Sequence, residues 1–480
     1  MYGNTGTYDQ NTQNYAMKNE LELFNKLADK LFEAEKKQPV VTPIPPAQLF
    51  DEIDVSLGEK PAPDFEETLE KLILNTPRTA TKLFFNQLFG GRNPKATLGD
   101  LLAVLLNNSM YTYKVAGPQV GVEKEILRNI CNRIGYPATS DGTFAPGGSM
   151  SNFMAMVMAR DTYGDDVQHQ GITDKLVAYT SAESHYSIPK NAALMGIGRD
   201  QVRFVATDAA GKMIPEALEK LIAIDKEAGL QPFFVNATAG TTVLGAFDSI
   251  MPISAICKQH HLWLHVDGAY CGSVIFSEKY KHLVNGLELS DSFSVNAHKM
   301  MGTPLTCSIL VTKHKEHLRD SFSNDAAYLY QTDGDDYNLG KTSIQCGRRN
   351  DALKFWTLWK SVGTEGLEAI VNQQFQLAAI AREYISNHPD YTLYSFDDSI
   401  SVCFNYKNIP AQQLCTGLYE SSELMVGYGT FQENEFVRLV TINSGNEGSD
   451  ILHFFRVLED FVDSNAAHLD TIHKPEELSH

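Results

Sequence analysis

Apolar and polar positions along the chain fall into distinct rhythms. Residues 20–36 (ELELFNKLADKLFEAEK) set Leu21, Leu23, Phe24, Leu27 and Leu31 near helical spacing with charges between them, which predicts an amphipathic helix. Residues 1–20, rich in Asn, Gln, Tyr and Gly, hold no steady apolar period and read as a loose tail. The stretch VVTPIPPAQLF carries three prolines and reads as an extended linker. The middle of the chain repeats one unit: a short apolar run, a polar or Gly-rich turn, then a helical interval. The runs are KLVAYT (175–180), QVRFVA (201–206), FFVNAT (233–238), LWLHVD (262–267), FSVNAH (293–298) and CSILVT (307–312). PEALEKLIAIDKEAG and MPISAICKQHH are two of the helical intervals. This alternation predicts an α/β fold with a mostly parallel sheet covered on both faces. In such sheets ligands sit at the carboxyl ends of the strands. Ser184, His185, Thr238, Asp267, His298 and Lys299 gather at those ends. Beyond about residue 365 the rhythm changes to helix (FQLAAIAREYISNH), strands (SVCFNYK, EFVRLVTIN) and a closing helix (ILHFFRVLEDFVDS), which predicts a smaller α+β domain. There is no internal repeat and no low-complexity block.

Composition narrows the field. The chain has 480 residues, long enough for two or three domains and a large core. Forty basic against 59 acidic residues give a net charge of −19, which argues against broad binding to nucleic acid or anionic membranes. No apolar run reaches the length of a transmembrane helix, and MYGNTGTYDQ lacks the basic and apolar blocks of a signal peptide. The cysteines, at 131, 257, 271, 307, 346, 403 and 415, form no CxxC pair. The expectation is a cytoplasmic protein with reduced thiols and no metal site.

Four segments carry candidate chemistry. In Asn296-Ala297-His298-Lys299-Met300 a lysine follows a strand directly, a place from which an amine can condense with an aldehyde cofactor. Taken alone, this pattern far more often describes a surface lysine. Asp267 ends LWLHVD; it either caps a turn or holds a pyridine nitrogen protonated. Pro146-Gly147-Gly148-Ser149-Met150-Ser151-Asn152 runs into the apolar stretch FMAMVMAR, so its glycines and serines open a helix toward an anion or form a plain loop. His185, after KLVAYT, lies on a cofactor ring or packs as an ordinary histidine. Asn236-Ala237-Thr238-Ala239-Gly240 is a further small-residue turn after a strand.

Taken together, GGSMSN, SAESHYSI, VNATAGTTVLGAFD, LWLHVDGAY, NAHKMMGTPLTCS and QCGRRNDALKFWTLWK resemble the group II pyridoxal-phosphate-dependent decarboxylases over roughly residues 80–365. Phe84-Phe85-Asn86-Gln87-Leu88, Met110-Tyr111-Thr112-Tyr113, Gln345-Cys346-Gly347-Arg348 and Phe436-Val437-Arg438 are most similar to the glutamate, cysteine-sulfinate and aspartate decarboxylase branch. The resemblance implies fold type I: a mostly parallel seven-stranded sheet in a large domain (81–365), an N-terminal helical arm (1–80) packing on a partner subunit, and a small C-terminal domain (366–480). It implies pyridoxal 5'-phosphate as cofactor, bound as an aldimine on Lys299. Asp267 pairs the pyridine nitrogen and His185 stacks on the ring. Ser149, Met150 and Ser151 meet the phosphate, while Thr238, Ala269, Asn296 and His298 line the cofactor. Arg438 takes the distal acid of the substrate as a planar fork, with Asn86, Gln87, Cys346 and Gly347 beside it. The implied reaction is α-decarboxylation of an acidic L-amino acid in a homodimer with shared sites. Tyr337, in the loop 330–340, is the implied proton donor and that loop the implied lid.

Some residues depart from the branch. Lys114 and Gln119 replace its usual Glu and aromatic in a segment that resembles a substrate-pocket wall, and Gly268 and Tyr270 replace an Ala and a Trp. Decarboxylation of aromatic or basic amino acids, another pyridoxal-phosphate reaction, or a catalytically silent protein of this fold are the alternatives. A single methylene is worth only about 1–3 kcal/mol in discrimination, so the three acidic substrates are not ranked at this level.

Overall fold

Among the described residues twelve strands divide into two sheets whose positions follow from the period-two alternation of their side chains. The computed structural model describes residues 10–164, 167–323, 335–421, 423–467 and 469. The strands are β1 (Phe84–Phe85), β2 (Asp141–Ala145), β3 (Leu176–Ser181), β4 (Val202–Val205), β5 (Gln231–Thr238), β6 (Trp263–Gly268), β7 (Ser292–Asn296), β8 (Ser308–Thr312), β9 (Tyr391–Leu393), β10 (Ser401–Tyr406), β11 (Met425–Phe431) and β12 (Asn434–Val440). The large sheet has the order β2-β8-β7-β6-β5-β3-β4. Its strands β3 to β7 pair in parallel, and β8 runs antiparallel to both β7 and β2.

Alternation sends one set of strand residues to each face. Val177, Tyr179, Val235, Leu264, Val266 and Val295 meet the helices Pro118–Ile134, Pro215–Glu227 and Ile250–His260. On the opposite face Ala178, Phe234, Trp263 and Leu310 meet the helices Gly148–Tyr163, Ser187–Leu194 and Lys315–Phe322. Burial on both sides explains why these strands read as continuous apolar runs. The six runs singled out in the sequence are β3 to β8 within one or two residues. The strand β2 (DGTFA) was not anticipated.

The second sheet has the order β1-β11-β12-β10-β9. Its inner residues Val402, Phe404, Val437 and Leu439 pack against Phe454, Phe455 and Leu458 of the helix Gly448–Asn465. Phe84–Phe85, placed with the large unit in the sequence reading, adds to this C-terminal sheet as a parallel edge strand on β11. The helical stretch Ala352–Ser386 leads from one sheet to the other and breaks at Gly363, whose φ of 69° lies in the left-handed region.

At the N-terminus the helix runs from Gln10 to Lys37, so part of the expected loose tail is helical. It is tied to the rest of the chain by Arg92–Glu35 at 2.8 Å and Lys30–Glu70 at 2.5 Å. Val40 and Val41 of the expected linker are buried, and the Val40 carbonyl accepts from Arg78 N–H at 2.8 Å. Among the described residues no helix is long and apolar enough to cross a membrane.

Candidate active site

Where β3, β5, β6 and β7 end, the parallel sheet leaves a cavity of about 190 Å³. The sequence candidates Ser149, His185, Thr238, Asp267, Ala269, Asn296, His298 and Lys299 all line it. Lys299 stands in the turn after β7, where its N–H donates to Asn296 O (3.1 Å) and its carbonyl accepts from Gly302 N (3.2 Å). Its ammonium is buried, and burial lowers its proton affinity; nearby Asp267 opposes this, and Arg438 adds to the lowering. The Nζ atom lies 6.0 Å from the ring centre of Tyr270, whose hydroxyl meets Ser401 Oγ of β10 at 2.9 Å. Tyr270 therefore joins the cavity floor to the C-terminal sheet.

Asp267, at the end of β6, is buried but well supplied with donors. Asn152 Nδ2 donates to Oδ2 (2.7 Å), Ala269 N–H to Oδ1 (3.0 Å) and Ser294 Oγ to Oδ1 (3.4 Å). His185 accepts from Ser187 N–H through Nδ1 (3.2 Å) and packs against Tyr186 at 4.2 Å. Burial lowers its proton affinity, with the Asp267 charge pulling the other way. His298 accepts from Cys307 N–H at Nδ1 (2.9 Å), which leaves the ring proton on Nε2. Burial, reinforced by Lys299, brings its pKa down to about 4.

A phosphate seat faces these groups. The helix Gly148–Tyr163 points its N-terminus at the cavity, and the N–H groups of Gly148 and Ser149 have no partner among the described residues. A Cβ on Gly148 would meet Asn296 Nδ2 at 2.8 Å and Ala269 Cβ at 3.1 Å, so glycine is required for this close approach. The Asn296 Oδ1 atom is buried and unpartnered. Met150 and Ser151 sit one step inside the helix: their N–H groups donate to Gly147 O at 3.0 and 3.1 Å, and neither lines the cavity. An amine, a buried carboxylate, a flat imidazole and an anion seat within one cavity fit pyridoxal phosphate. Among the described residues no group of three or more His, Cys, Asp or Glu could hold a metal ion.

The substrate candidates divide. On β12 the Arg438 guanidinium donates from Nη1 to Thr242 O (3.0 Å) and from Nη2 to Asn86 O (2.9 Å). Thr242 itself lines the cavity. Gln87 is exposed, and so are Cys346 and Gly347, which lie off the cavity lining. Tyr337 is half exposed and set edge-on to Tyr113 at 5.7 Å, also away from the cavity of its own chain. Of the expected lid, residues 330–334 lie outside the described residues. Its C-terminal end is anchored: Tyr113 N–H donates to Asn338 Oδ1 (3.2 Å) and Gly340 N–H to Tyr111 O (2.8 Å). Gln119, expected in a pocket wall, accepts from Asn350 Nδ2 at 3.0 Å.

Sequence reading missed Asn152 and His265. The signal for His265 was present, because alternation along Trp263-Leu264-His265-Val266-Asp267 places it on the same face as Asp267. Asn152 had no such signal, since its contact with Asp267 closes over 115 residues.

Known proteins agree with this geometry. The pyridoxal-dependent decarboxylase conserved domain matches residues 46–407. The acidic amino acid decarboxylase GADL1 of Bos taurus is 40% identical over 370 residues, covering 75% of this chain and 71% of that protein. The cysteine sulfinic acid decarboxylase of Homo sapiens is 37% identical over 419 residues, covering 82% and 84%. A crystal structure of mouse CSAD superposes with a TM-score of 0.88 at 33% identity, over 93% of this chain and 99% of that one. The fold alone is also shared with a Catharanthus roseus tryptophan decarboxylase crystallised with L-tryptophan, at 22% identity and a TM-score of 0.85 over 96% and 100%, so architecture does not select the substrate. With the lysine, the carboxylate and the anion seat in one cavity, the chain belongs to the pyridoxal-dependent decarboxylase family and is an amino acid decarboxylase of fold type I.

Proposed function

We propose that this enzyme removes the α-carboxyl group of a small acidic L-amino acid: cysteine sulfinate, aspartate or glutamate. The observation that carries this reading is Arg438. Two backbone carbonyls fix its guanidinium, its Nε is buried without a partner, and no carboxylate pairs with it among the described residues. A part-buried cation held in place but not neutralised is matched to an anionic group brought by the substrate. An aromatic or basic side chain would leave it unpaired. The names of the two mammalian relatives agree.

Bound in the cavity, pyridoxal phosphate supplies an aldehyde for amines and a protonated ring that draws electrons from Cα. The chain does the rest. Burial keeps the Lys299 amine readily deprotonated and so nucleophilic. Asp267 holds the ring nitrogen protonated, and His185 flanks the ring. Gly148, Ser149 and Asn296 hold the phosphate, with Thr238, Ala269 and His298 closing the walls.

Two copies complete the site. The helix Pro94–Leu106 exposes Leu98, Leu101, Leu102, Val104, Leu105 and Leu106, each 40–59% accessible, an apolar face that a second subunit covers. In the homodimer Tyr337 serves the neighbouring cavity as proton donor to Cα. Seven free cysteines, one of them exposed, favour the reducing cytoplasm. The break at Gly363 supports a division near residue 365.

Incubating the holoenzyme with a panel of amino acids and identifying the released amines tests the reading. Hypotaurine, β-alanine or γ-aminobutyrate is expected; release of only aromatic or basic amines would overturn it. Arg438→Met should lower kcat/KM for the acidic substrate by about 100-fold or more, mostly through KM.

A further inference from the structure

Behind Asp267 lies a run of buried polar side chains whose hydrogen bonds all point the same way. Trp263, His265 and Asp267 share one face of β6, and the register sets Ser292 of β7 opposite His265 and Ser294 opposite Asp267. Asn152 descends onto them from the helix Gly148–Tyr163. The indole of Trp263 is only a donor, and it donates to Ser292 Oγ at 2.9 Å. The same Oγ meets His265 Nδ1 at 2.9 Å. His265 Nε2 faces Asn152 Oδ1 at 3.1 Å. With its oxygen committed, the Asn152 amide turns both N–H bonds outward, to Asp267 Oδ2 (2.7 Å) and Ser187 Oγ (3.0 Å).

We propose that His265 is a positioning residue for the coenzyme: acting through Asn152, it holds the Asp267 carboxylate oriented toward the pyridine nitrogen. The chain of donors explains why. The Asp267 carboxylate only accepts, so Asn152 donates to it through Nδ2, Asn152 Oδ1 takes the His265 Nε2–H, and the neutral ring accepts the Ser292 hydroxyl proton at Nδ1. A flipped Asn152 would set its carbonyl against the Asp267 carboxylate, two acceptors in a dry site. With His265 in place that flip costs a second bond, because Nε2–H would lose its acceptor. All five residues are nine-tenths or more buried, so water does not substitute for a missing member. His265 touches neither the cavity nor the substrate, so its influence reaches the chemistry only through Asp267.

The test measures coenzyme binding to the apoenzyme by visible absorption, alongside steady-state kinetics. For His265→Phe the dissociation constant of pyridoxal phosphate should rise about tenfold or more, on the scale of buried outer-shell partners. The absorption spectrum of the bound coenzyme should shift its pH dependence, and kcat should fall while KM stays within about twofold. His265→Gln, whose amide N–H can reach Asn152 Oδ1, should recover most of the affinity. Adding His265→Phe to Asn152→Leu should cost nothing further, because the effect passes through Asn152. Parent-like affinity and spectrum in a folded His265→Phe protein would overturn the proposal, as would additive losses in the double variant or a Gln variant as weak as Phe. If His265→Phe does not fold, Ser292→Ala decides: it takes the partner from His265 Nδ1, loosens the ring and should weaken coenzyme binding, and unchanged binding would again overturn it. These readouts do not depend on which amino acid is decarboxylated.

Discussion

His265 and His298 each contribute to the acid sensitivity of the fold. Burial brings each down to about 4 from an ordinary value near 6.5. The unfolded chain therefore binds more protons than the native one between those limits, so stability falls as pH drops from about 6.5 to 4 and is level below that. Asp248 acts in the opposite sense. Its carboxyl accepts from Met213 N–H (2.6 Å) and Thr238 N–H (2.7 Å), but burial raises it to about 6, so its contribution is full below pH 3.8 and is lost as pH rises through 6. His185 and His317 are lowered by burial in the same sense, and Asp291 and Asp351 are raised by burial as Asp248 is, so a His265 variant is needed to isolate its share. Full loss of one histidine's contribution is worth about 3 kcal/mol. Urea unfolding of the apoenzyme at pH 7 and pH 5 should show this decline, and His265→Gln should reduce it. An unchanged pH dependence in that variant would assign the acid response elsewhere.

Between elements, one ion pair is placed where it cannot be replaced by solvent. Glu123, on the helix Pro118–Ile134, meets Arg348, which also donates to Thr143 Oγ1 and Phe144 O of β2 at 3.2 Å. Both side chains are almost fully buried, at 1% and 2% exposure. Glu123→Gln leaves the guanidinium charged without a counter-ion and should destabilise the fold by about 3–5 kcal/mol, read as a drop in urea midpoint. The double variant Glu123→Leu/Arg348→Met removes both charges and should lose much less; equal losses would show that shape rather than charge holds the junction. This junction also marks what the sequence made legible. Strands β3 to β8 announced themselves because they are buried on both faces, and the residues at their ends drew the cavity almost complete. The strand β2 did not, because DGTFA mixes polar and small residues and is recognisable only by its antiparallel partner β8. Phe84–Phe85 is too short to show a period, and its place on β11 depends on a contact more than 300 residues away. Cavity residues reached by local strand rhythm were found. Asn152, reached only through the folded layer above the sheet, was not.

The whole molecule leaves an apolar face that a single chain does not bury. Most helices of the large domain turn their apolar residues inward, yet Pro94–Leu106 buries only Ala96, Gly99 and Ala103 and shows its leucines to the outside. The buried residues are the small ones, because the helix crosses Ala352–Ser386 closely: a Cβ on Gly99 would lie 2.8 Å from the Lys354 Cα. The long side chains are thus free for a partner. Next to them a cavity of about 320 Å³ is lined by Leu101, Val104 and Leu305 and also by His298, which borders the coenzyme cavity as well. A subunit covering the leucines would therefore close one side of the active site. Tyr337, which stands outside the cavity of its own chain, is then available to the other. Leu98→Glu/Leu105→Glu places two charges on this face without touching the buried residues. Light scattering should find a dimer for the parent and a monomer for the variant, and decarboxylation should fall at least about 100-fold while the far-ultraviolet circular dichroism is retained. An active monomer would show that each chain supplies its own proton donor, and Tyr337 would lose that role.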